Sequence, residues 1–376
     1  MYDTPAITNA CYRILLTPIA GPLNILFVVL IIGESPIEVA RIMIYGALGF
    51  EEGIGYTLYY ATNFIFTGLA VAVAFHAGLF NIGGEGQVYL GGLGAAFICL
   101  YFPNLHWAII IPLAIISSAL FGAAWAFIPA YLRAKRGSHE VITTIMFNMI
   151  AASLISYILI NILNRESGSS SSSASYTANT NIPKMHEFLG WFGISFDTSP
   201  LNITLFLALL CAFGVWVLIW RTRFGYAVRT QGFSPTAANY AGISSSNTII
   251  LIMIISGGLA GLMAVNETVA VAEKLIAGFP GGFGFVGIAV ALMGRNHPIG
   301  IVLAAILFGI LYQGGAELAF EISTISKEMI VLIQGLIILF MGALEYMFRP
   351  VLISIYQTLV YRPNKHKNQN IEGEAS

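Results

Sequence analysis

From Trp107 to Tyr131 the chain runs for 25 residues without one charged side chain. A bilayer core of about 30 Å takes about 20 apolar residues in a helix, because every backbone N–H and C=O must be satisfied within the segment. Ten segments read this way: 14–33, 55–75, 87–102, 107–131, 141–163, 201–220, 247–267, 283–294, 298–314 and 328–347. Such runs also occur inside large soluble cores, and composition decides between the two. Of 376 residues 57% are hydrophobic and 9% charged, whereas a soluble domain carries roughly a quarter charged residues. So few charges cannot cover a water-facing surface. The expected fold is an all-α integral membrane protein with about ten transmembrane helices in a single domain, 1–347. Runs 87–102 and 283–294 are short and flanked by glycine, so two of the helices are expected to be short or broken, either spanning fully or re-entering.

Ten spans leave both termini on one side. With the termini cytoplasmic, 12 of the 17 Lys and Arg fall inside; only Arg41, Arg165, Lys184, Lys274 and Lys327 fall outside. The positive-inside rule selects that orientation. The net charge of −1 argues neither for nor against nucleic acid, and no nucleic-acid partner is expected. Cys11, Cys99 and Cys211 form no C-x-x-C pair and the six histidines no H-E-x-x-H, so neither a disulfide framework nor a metal site is expected. No basic region precedes an apolar run and a cleavage site at the start, so the first run is expected to remain as a helix. Three polar stretches interrupt the runs. Residues 164–199, with serines from Ser169 to Ser173, are expected to be a flexible external loop; 221–246 an internal loop; 361–376 a polar cytoplasmic tail.

Polar residues at membrane depth are costly and mark candidate function. In Phe75-His-Ala-Gly-Leu-Phe-Asn-Ile-Gly-Gly-Glu-Gly-Gln87, four glycines join two apolar runs and place Asn81, Glu85 and Gln87 close together. A broken helix there would expose backbone groups to a polar solute; the plainer reading is a polar loop at the inner face with Glu85 solvated. A second glycine-rich stretch, Gly278-Phe-Pro-Gly-Gly-Phe-Gly-Phe-Val-Gly287, leads into a run of a dozen residues. Paired short, glycine-interrupted segments in two halves point to a midplane site, and five spans per half would make any internal repeat an inverted one. Asn63, Asn148, Asn266 and Gln334 read as interhelical glue, and Gly257-x-x-x-Gly261 as a close-packing contact. Glu267 is either functional or exposed at its span's outer end. The candidate solute-path residues are Phe80, Asn81, Glu85, Gln87, Asn148, Glu267, Phe283 and Phe285, with Phe80, Phe283 and Phe285 either stacking on a solute ring or simply packing. In the internal loop, Ser234 reads as an N-cap, Pro235 as the first helical residue and Gly242 as the end of a short helix with small Ala237, Ala238 and Ala241. This helix fits a groove on a soluble partner, or lies as a connector on lipid headgroups.

At these motifs the chain resembles the permease subunits of bacterial ABC importers of the branched-chain amino acid, ribose and nucleoside group. The match runs over most of 45–347: Gly68-Leu-Ala-Val-Ala-Val-Ala-Phe75, Phe80-Asn-Ile-Gly-Gly-Glu-Gly-Gln87, Glu140-Val-Ile-Thr-Thr144 with Asn148, Ala237-Ala-Asn-Tyr-Ala-Gly-Ile243, Gly287-Ile-Ala-Val-Ala-Leu-Met-Gly-Arg-Asn-His-Pro298 and Gln334-Gly-Leu-Ile-Ile-Leu-Phe340. The Asn-Ile-Gly-x-Glu-Gly-Gln form resembles the nucleoside, or simple sugar, permeases. Gly84 and the serine-rich loop depart from the pattern. The resemblance implies a path for a nucleoside or related polar solute in the bacterial cytoplasmic membrane. It implies as partners a second related permease, an extracytoplasmic solute-binding lipoprotein and an ATP-binding subunit that docks on Arg229, Ser234, Pro235, Ala237, Ala238, Ala241 and Gly242. No G-x-x-x-x-G-K-[ST] phosphate loop occurs, so ATP and magnesium belong to that partner; this chain is expected to carry no cofactor and no catalysis. Alternatives are a sugar permease, and an ion-coupled transporter with Glu85 or Glu267 as carrier. A membrane-embedded enzyme would need a matching ligand set beside His76, His139 and His297.

Overall fold

The computed structural model describes residues 35–163, 171–191, 193, 195–322, 329–332 and 335. The expected run 14–33, most of 328–347, Gln334 and the tail 361–376 lie outside these. Among the described residues the regular structure is helical, with no strand beyond two isolated bridges. In chain order the helices are α1 (Pro36–Leu48), α2 (Glu51–Phe75), α3 (Gly84–Tyr101), α4 (Trp107–Arg136), α5 (Glu140–Ile158), α6 (Met185–Gly190), α7 (Thr204–Arg221), α8 (Arg223–Phe233), α9 (Pro235–Tyr240), α10 (Ser245–Ala264), α11 (Phe283–Met293) and α12 (Pro298–Glu321). A π turn extends α5 over Leu159–Leu163 and another extends α10 over Val265–Val271. Among the described residues six helices are long and apolar enough to cross a membrane: α2, α4, α5 with its π turn, α7, α10 with its π turn, and α12.

Burial sorts them into a centre and a shell. The apolar window of α2 is 83% buried, while those of α4, α5 and α7 are 22–28% buried. A helix apolar on every face and enclosed on every face is a core helix; α2 packs against α10, α11 and α12 through Phe64, Leu69, Val73, Met263, Val290 and Phe308. The shell helices turn Ile116, Leu120, Ile142, Met149, Leu210 and Phe213 outward. A surface of that extent is compatible with lipid or neighbouring helices and not with water.

Two segments differ from the sequence reading. Helix α1, which carries Glu38 and Arg41, lies between the expected runs 14–33 and 55–75, in a stretch to which no helix was assigned. Its apolar face repeats at helical spacing, Val39, Met43 and Ala47, and packs against Leu318. The described part of the serine-rich loop is not a free linker. The N–H of Ser173 donates to the Leu275 carbonyl (2.8 Å), that of Tyr176 to Glu273 (2.7 Å) and that of Ala277 to Ser171 (2.8 Å). Ile182 and Met185 are buried beneath it. Apolar residues after the serines, absent from the run itself, pin it down.

Close helix contacts are made by glycine, as the 257–261 spacing implied. A Cβ on Gly122 of α4 would sit 2.4 Å from the Gly257 carbonyl oxygen, and one on Gly261 2.6 Å from that of Ser118. The Ser118 hydroxyl donates to the Gly261 carbonyl at 2.7 Å. Small residues let backbones approach where lipid provides no hydrophobic drive for association. Gly261→Val is expected to force α4 and α10 apart at a cost of about 1–3 kcal/mol, measurable as a lower melting temperature in detergent, whereas Gly258→Ala, whose new Cβ meets nothing closer than 3.4 Å, should be near neutral.

Candidate functional site

The two glycine-rich segments meet. Helix α2 ends where Gly78, at φ 71°, turns the chain and the Leu79 N–H returns to the Ala74 carbonyl. Residues 79–82 are non-helical, and α3 starts at Gly84. Residues 272–282 likewise interrupt the chain between the π turn of α10 and α11. The start of α11 lies halfway along α2, with the Phe283 ring 5.4 Å from that of Phe64. Its other end reaches the end of α2, where the His76 Nε2–H donates to the Asn296 carbonyl at 3.0 Å. The far end of α3 packs instead with Val265, Val269 and Leu275. Two helices, α3 of 18 residues and α11 of 11, thus start from one central point and run in opposite directions.

Glu85 makes the junction. Its Oε1 accepts the Gly282 N–H at 2.8 Å and its Oε2 the Gly284 N–H at 2.9 Å. A helix start leaves four N–H groups without intrahelical partners and carries a partial positive charge. The carboxylate answers both, so Glu85 caps α11 from the first turn of α3. The backbones touch beside it: a Cβ on Gly284 would lie 2.3 Å from the Glu85 nitrogen, and one on Gly84 3.3 Å from the Gly284 oxygen. A side chain at position 84 would be tight against that contact.

The amides around the break satisfy one another. Asn81 and Gln87 exchange side-chain hydrogen bonds, each 3.0 Å. Asn81 also accepts the Gly83 N–H at 3.0 Å and donates to Ser256 on α10 at 2.8 Å, and that hydroxyl donates to the Ala70 carbonyl on α2. Asn148 bridges the break, donating to the Ile82 carbonyl and accepting the Gly86 N–H, both at 2.9 Å. Asn81 and Gln87 are 1% exposed and Asn148 6%, so in this conformation they hold the broken backbone. Leaving any such group unpaired costs about 1–3 kcal/mol. A second network lies on the other half of α2. Tyr59 and Asn63 donate to Glu267, Asn266 donates to Asn63 at 2.8 Å, and Asn202 donates to Asn266 at 2.7 Å. The π turn lets consecutive Asn266 and Glu267 face one neighbour. Glu267 is an internal acceptor here, not an exposed end group.

The three phenylalanines are not brought together. Phe80 pairs with Phe75, Phe283 with Tyr60, Phe64 and Tyr312, while Phe285, on the opposite face of α11, is 45% exposed. Tyr60 and Tyr312 were missed by the sequence reading, although Tyr56 and Tyr60 share a helical spacing in an otherwise apolar run.

In the loop after α7, Ser234 caps α9, its Oγ accepting the Ala237 N–H at 3.3 Å; Pro235 is the first residue and Gly242 takes φ 76°. Ala238 is fully buried and faces the protein, so it cannot touch a docked partner. Phe233 and Tyr240, at 92% and 91% exposed, are what the loop presents. Arg229 is partly buried, with its Nε unpaired. Helix α8 ends on the break: a Cβ on Gly232 would lie 2.3 Å from the His76 carbonyl oxygen, and 3.1 Å from the Gly78 nitrogen. Trp220 stands between His76 and His297, with centroids at 5.0 and 5.1 Å. Burial pushes the His76 imidazole below its usual range despite the bond to Asn296, and Arg229 and His297 act in the same direction.

A family model for the permease component of branched-chain amino acid transport systems matches residues 53–342. The chain belongs to this family. This permease is 37% identical over 302 residues, 79% of the chain and 83% of the relative, to the guanosine ABC transporter permease protein NupP of Bacillus subtilis. It is 34% identical over 84% of the chain and 86% of the relative to the nucleoside ABC transporter permease protein NupB of Lactococcus lactis. It is 31% identical over 84% of the chain and 82% of the relative to the glucose ABC transporter permease protein TsgB13 of Haloferax volcanii. The same two bacteria hold second permeases at greater distance, NupQ at 27% over 67% of the chain and NupC at 25% over 67%, each match covering 78% of the relative. No solved structure matches. For this permease, Glu85→Ala is expected to unfasten α11 and lower the melting temperature of the purified protein, with a loss of about 2–4 kcal/mol from two charge-assisted bonds; Glu85→Gln, which retains one acceptor, should lose about half of that.

Proposed function

We propose that the chain is the membrane-spanning subunit of an ATP-driven importer and forms the translocation path for a nucleoside. The observation that carries this is the 37% and 34% identity, over most of the chain, to permeases for guanosine and nucleosides. The pairs NupP with NupQ and NupB with NupC support a heterodimer with a second, related permease. A separate ATP-binding subunit, which holds ATP and magnesium, docks on the α8–α9 loop from inside, and a solute-binding lipoprotein delivers from outside. In this reading the protein crosses the bacterial cytoplasmic membrane about ten times with both termini inside. α3 and α11 are corresponding helices of an inverted repeat; their shared origin and opposite directions support that. The 31% identity to a glucose permease favours one second reading, a sugar as the solute.

The geometry supports a coupling route. A push on α9 moves α8; Gly232 bears on the carbonyl of His76 and on Gly78. The break they begin leads through Asn81 to Glu85, and so to the start of α11. Asn81, Gln87 and Asn148 act in this reading as the hinge of the path, and Glu85 as its latch. An ion-coupled transporter would need a carboxylate free to release its charge, whereas both oxygens of Glu85 hold backbone N–H groups of α11.

The reading is tested by expressing the chain with its ATP-binding subunit, second permease and lipoprotein in a strain without nucleoside uptake. Labelled guanosine and uridine are expected to enter, glucose is not, and a partner unable to hydrolyse ATP should abolish entry; uptake by the chain alone in energised vesicles would refute ATP coupling. Two sets of variants separate docking from coupling. Phe233→Ala with Tyr240→Ala is expected to lower co-purification of the ATP-binding subunit. Gly232→Val should leave it bound yet reduce uptake at least about tenfold, the scale of a shift of roughly 1.4 kcal/mol in a two-state equilibrium.

A further inference from the structure

Tyr60, Phe283 and Tyr312 form a near-equilateral triangle of rings, with centroid separations of 6.1 Å, 5.7 Å and 5.7 Å. Phe64, fully buried, backs it, 5.4 Å from Phe283 and 4.9 Å from Tyr312. The three rings come from the middle of α2, the start of α11 and the body of α12, so the triangle lies at the level of the Glu85 junction. Each of the three is only half-buried, and neither tyrosine hydroxyl has a hydrogen bond to another described residue. The shell helices present mainly aliphatic and phenylalanine side chains outward, with Trp107, Tyr131 and Tyr157 toward their ends, whereas this face places two partly exposed tyrosines close to mid-depth. Glu85 holds the backbone N–H groups on either side of Phe283, and Glu267 accepts from Tyr59, the residue next to Tyr60. A phenol hydroxyl is costly against lipid, so a wet or solute-filled space suits this face.

Resting on the importer reading above, we infer that Tyr60, Phe283 and Tyr312 are a transit subsite for the flat, uncharged base of a nucleoside. Inclined rings, with interplanar angles of 74°, 48° and 63°, leave faces and edges for a base to rest on, and such stacking tolerates different bases because each has a π-face. The two tyrosine hydroxyls can both donate and accept, which suits ribose hydroxyls and base edges. The two flanking carboxylates repel a phosphate, so the subsite accepts nucleosides and rejects nucleotides. The site is a wall, completed by the facing permease, which suits a solute that must also leave it.

The test uses the assembled transporter in proteoliposomes with tritiated guanosine and tritiated uridine at saturating concentrations. The binding protein is a separate chain, so its affinities are unchanged by permease variants, and a change in the ratio of the two maximal rates reports on the permease. Tyr312→Leu and Phe283→Leu are expected to lower the guanosine rate at least about tenfold, and the smaller-ringed uridine less, with ATP-binding subunit still co-purifying; Tyr312→Phe, which keeps the ring, should hold the ratio. Photolabelling of the wild-type complex with tritiated 8-azidoguanosine gives a readout that needs no variant. Label is expected on the peptides that hold Tyr60 or Tyr312, displaced by excess guanosine and not by guanosine monophosphate. Wild-type uptake of nucleoside with an unchanged ratio in the assembled Leu variants, or with label on other peptides, would overturn the subsite and leave the importer reading standing. A wild-type transporter that takes up neither nucleoside would overturn the substrate reading, and the subsite with it.

Discussion

Two oxygens of one carboxylate hold the middle of this protein together. Glu85 accepts the Gly282 and Gly284 N–H groups, and without it α11 would begin inside the membrane with its first donors unanswered. Removing a carboxylate from water costs several kcal/mol; two charge-assisted bonds at about 1.5–3 kcal/mol each and the positive end of a helix roughly offset that. The balance is close enough that the contact can be both stable and breakable. Much else follows from it. Gly284 must be bare for the backbones to approach, with Gly84 easing the contact, and both chain interruptions must bring their helix starts to one depth.

The interruptions also decide where polar residues go. Irregular backbone at membrane depth is tolerated only where protein or a water-lined cavity satisfies it. Asn148 therefore spans the break from Ile82 to Gly86, and Asn81 and Gln87 close on each other. The network of Tyr59, Asn63, Asn202, Asn266 and Glu267 does the same beside the π turn. Amides in membrane helices are worth little individually, about 0.6 kcal/mol on average, yet each left unpaired would cost more than it contributes when paired.

The long apolar runs were legible in the sequence because lipid imposes a length and a composition that no packing detail can override. The two broken segments were legible as well, through glycine, and so was α9, through Ser234, Pro235 and Gly242. What a one-dimensional reading lacks is partner identity. Glu85 and Gly284 stand 199 positions apart, and nothing local says that one caps the other. Ala238 looked like a contact because it is small, yet smallness serves equally to bury a helix against its own protein, as it does here. The tyrosines hid for the opposite reason: Tyr60 and Tyr312 sit in apolar runs where an aromatic ring is unremarkable until its neighbours are known. Helix α1 fell between two expected runs; it carries two charges, Glu38 and Arg41, on its exposed face.

A path through such a centre has a physical requirement. If α8 pushes on His76 and Gly78, the break cannot move as a free loop, since Asn81, Gln87 and Asn148 tie it to α2, α3, α5 and α10. Each of those bonds is worth on the order of 1 kcal/mol net, so displacing the whole set without replacement would exceed what a coupling shift of about 1–3 kcal/mol supplies. Movement must therefore keep most of the set intact. The break, α3 and Asn148 would travel as one body, and the bonds exchanged would be the few that join that body to α11, which are those of Glu85.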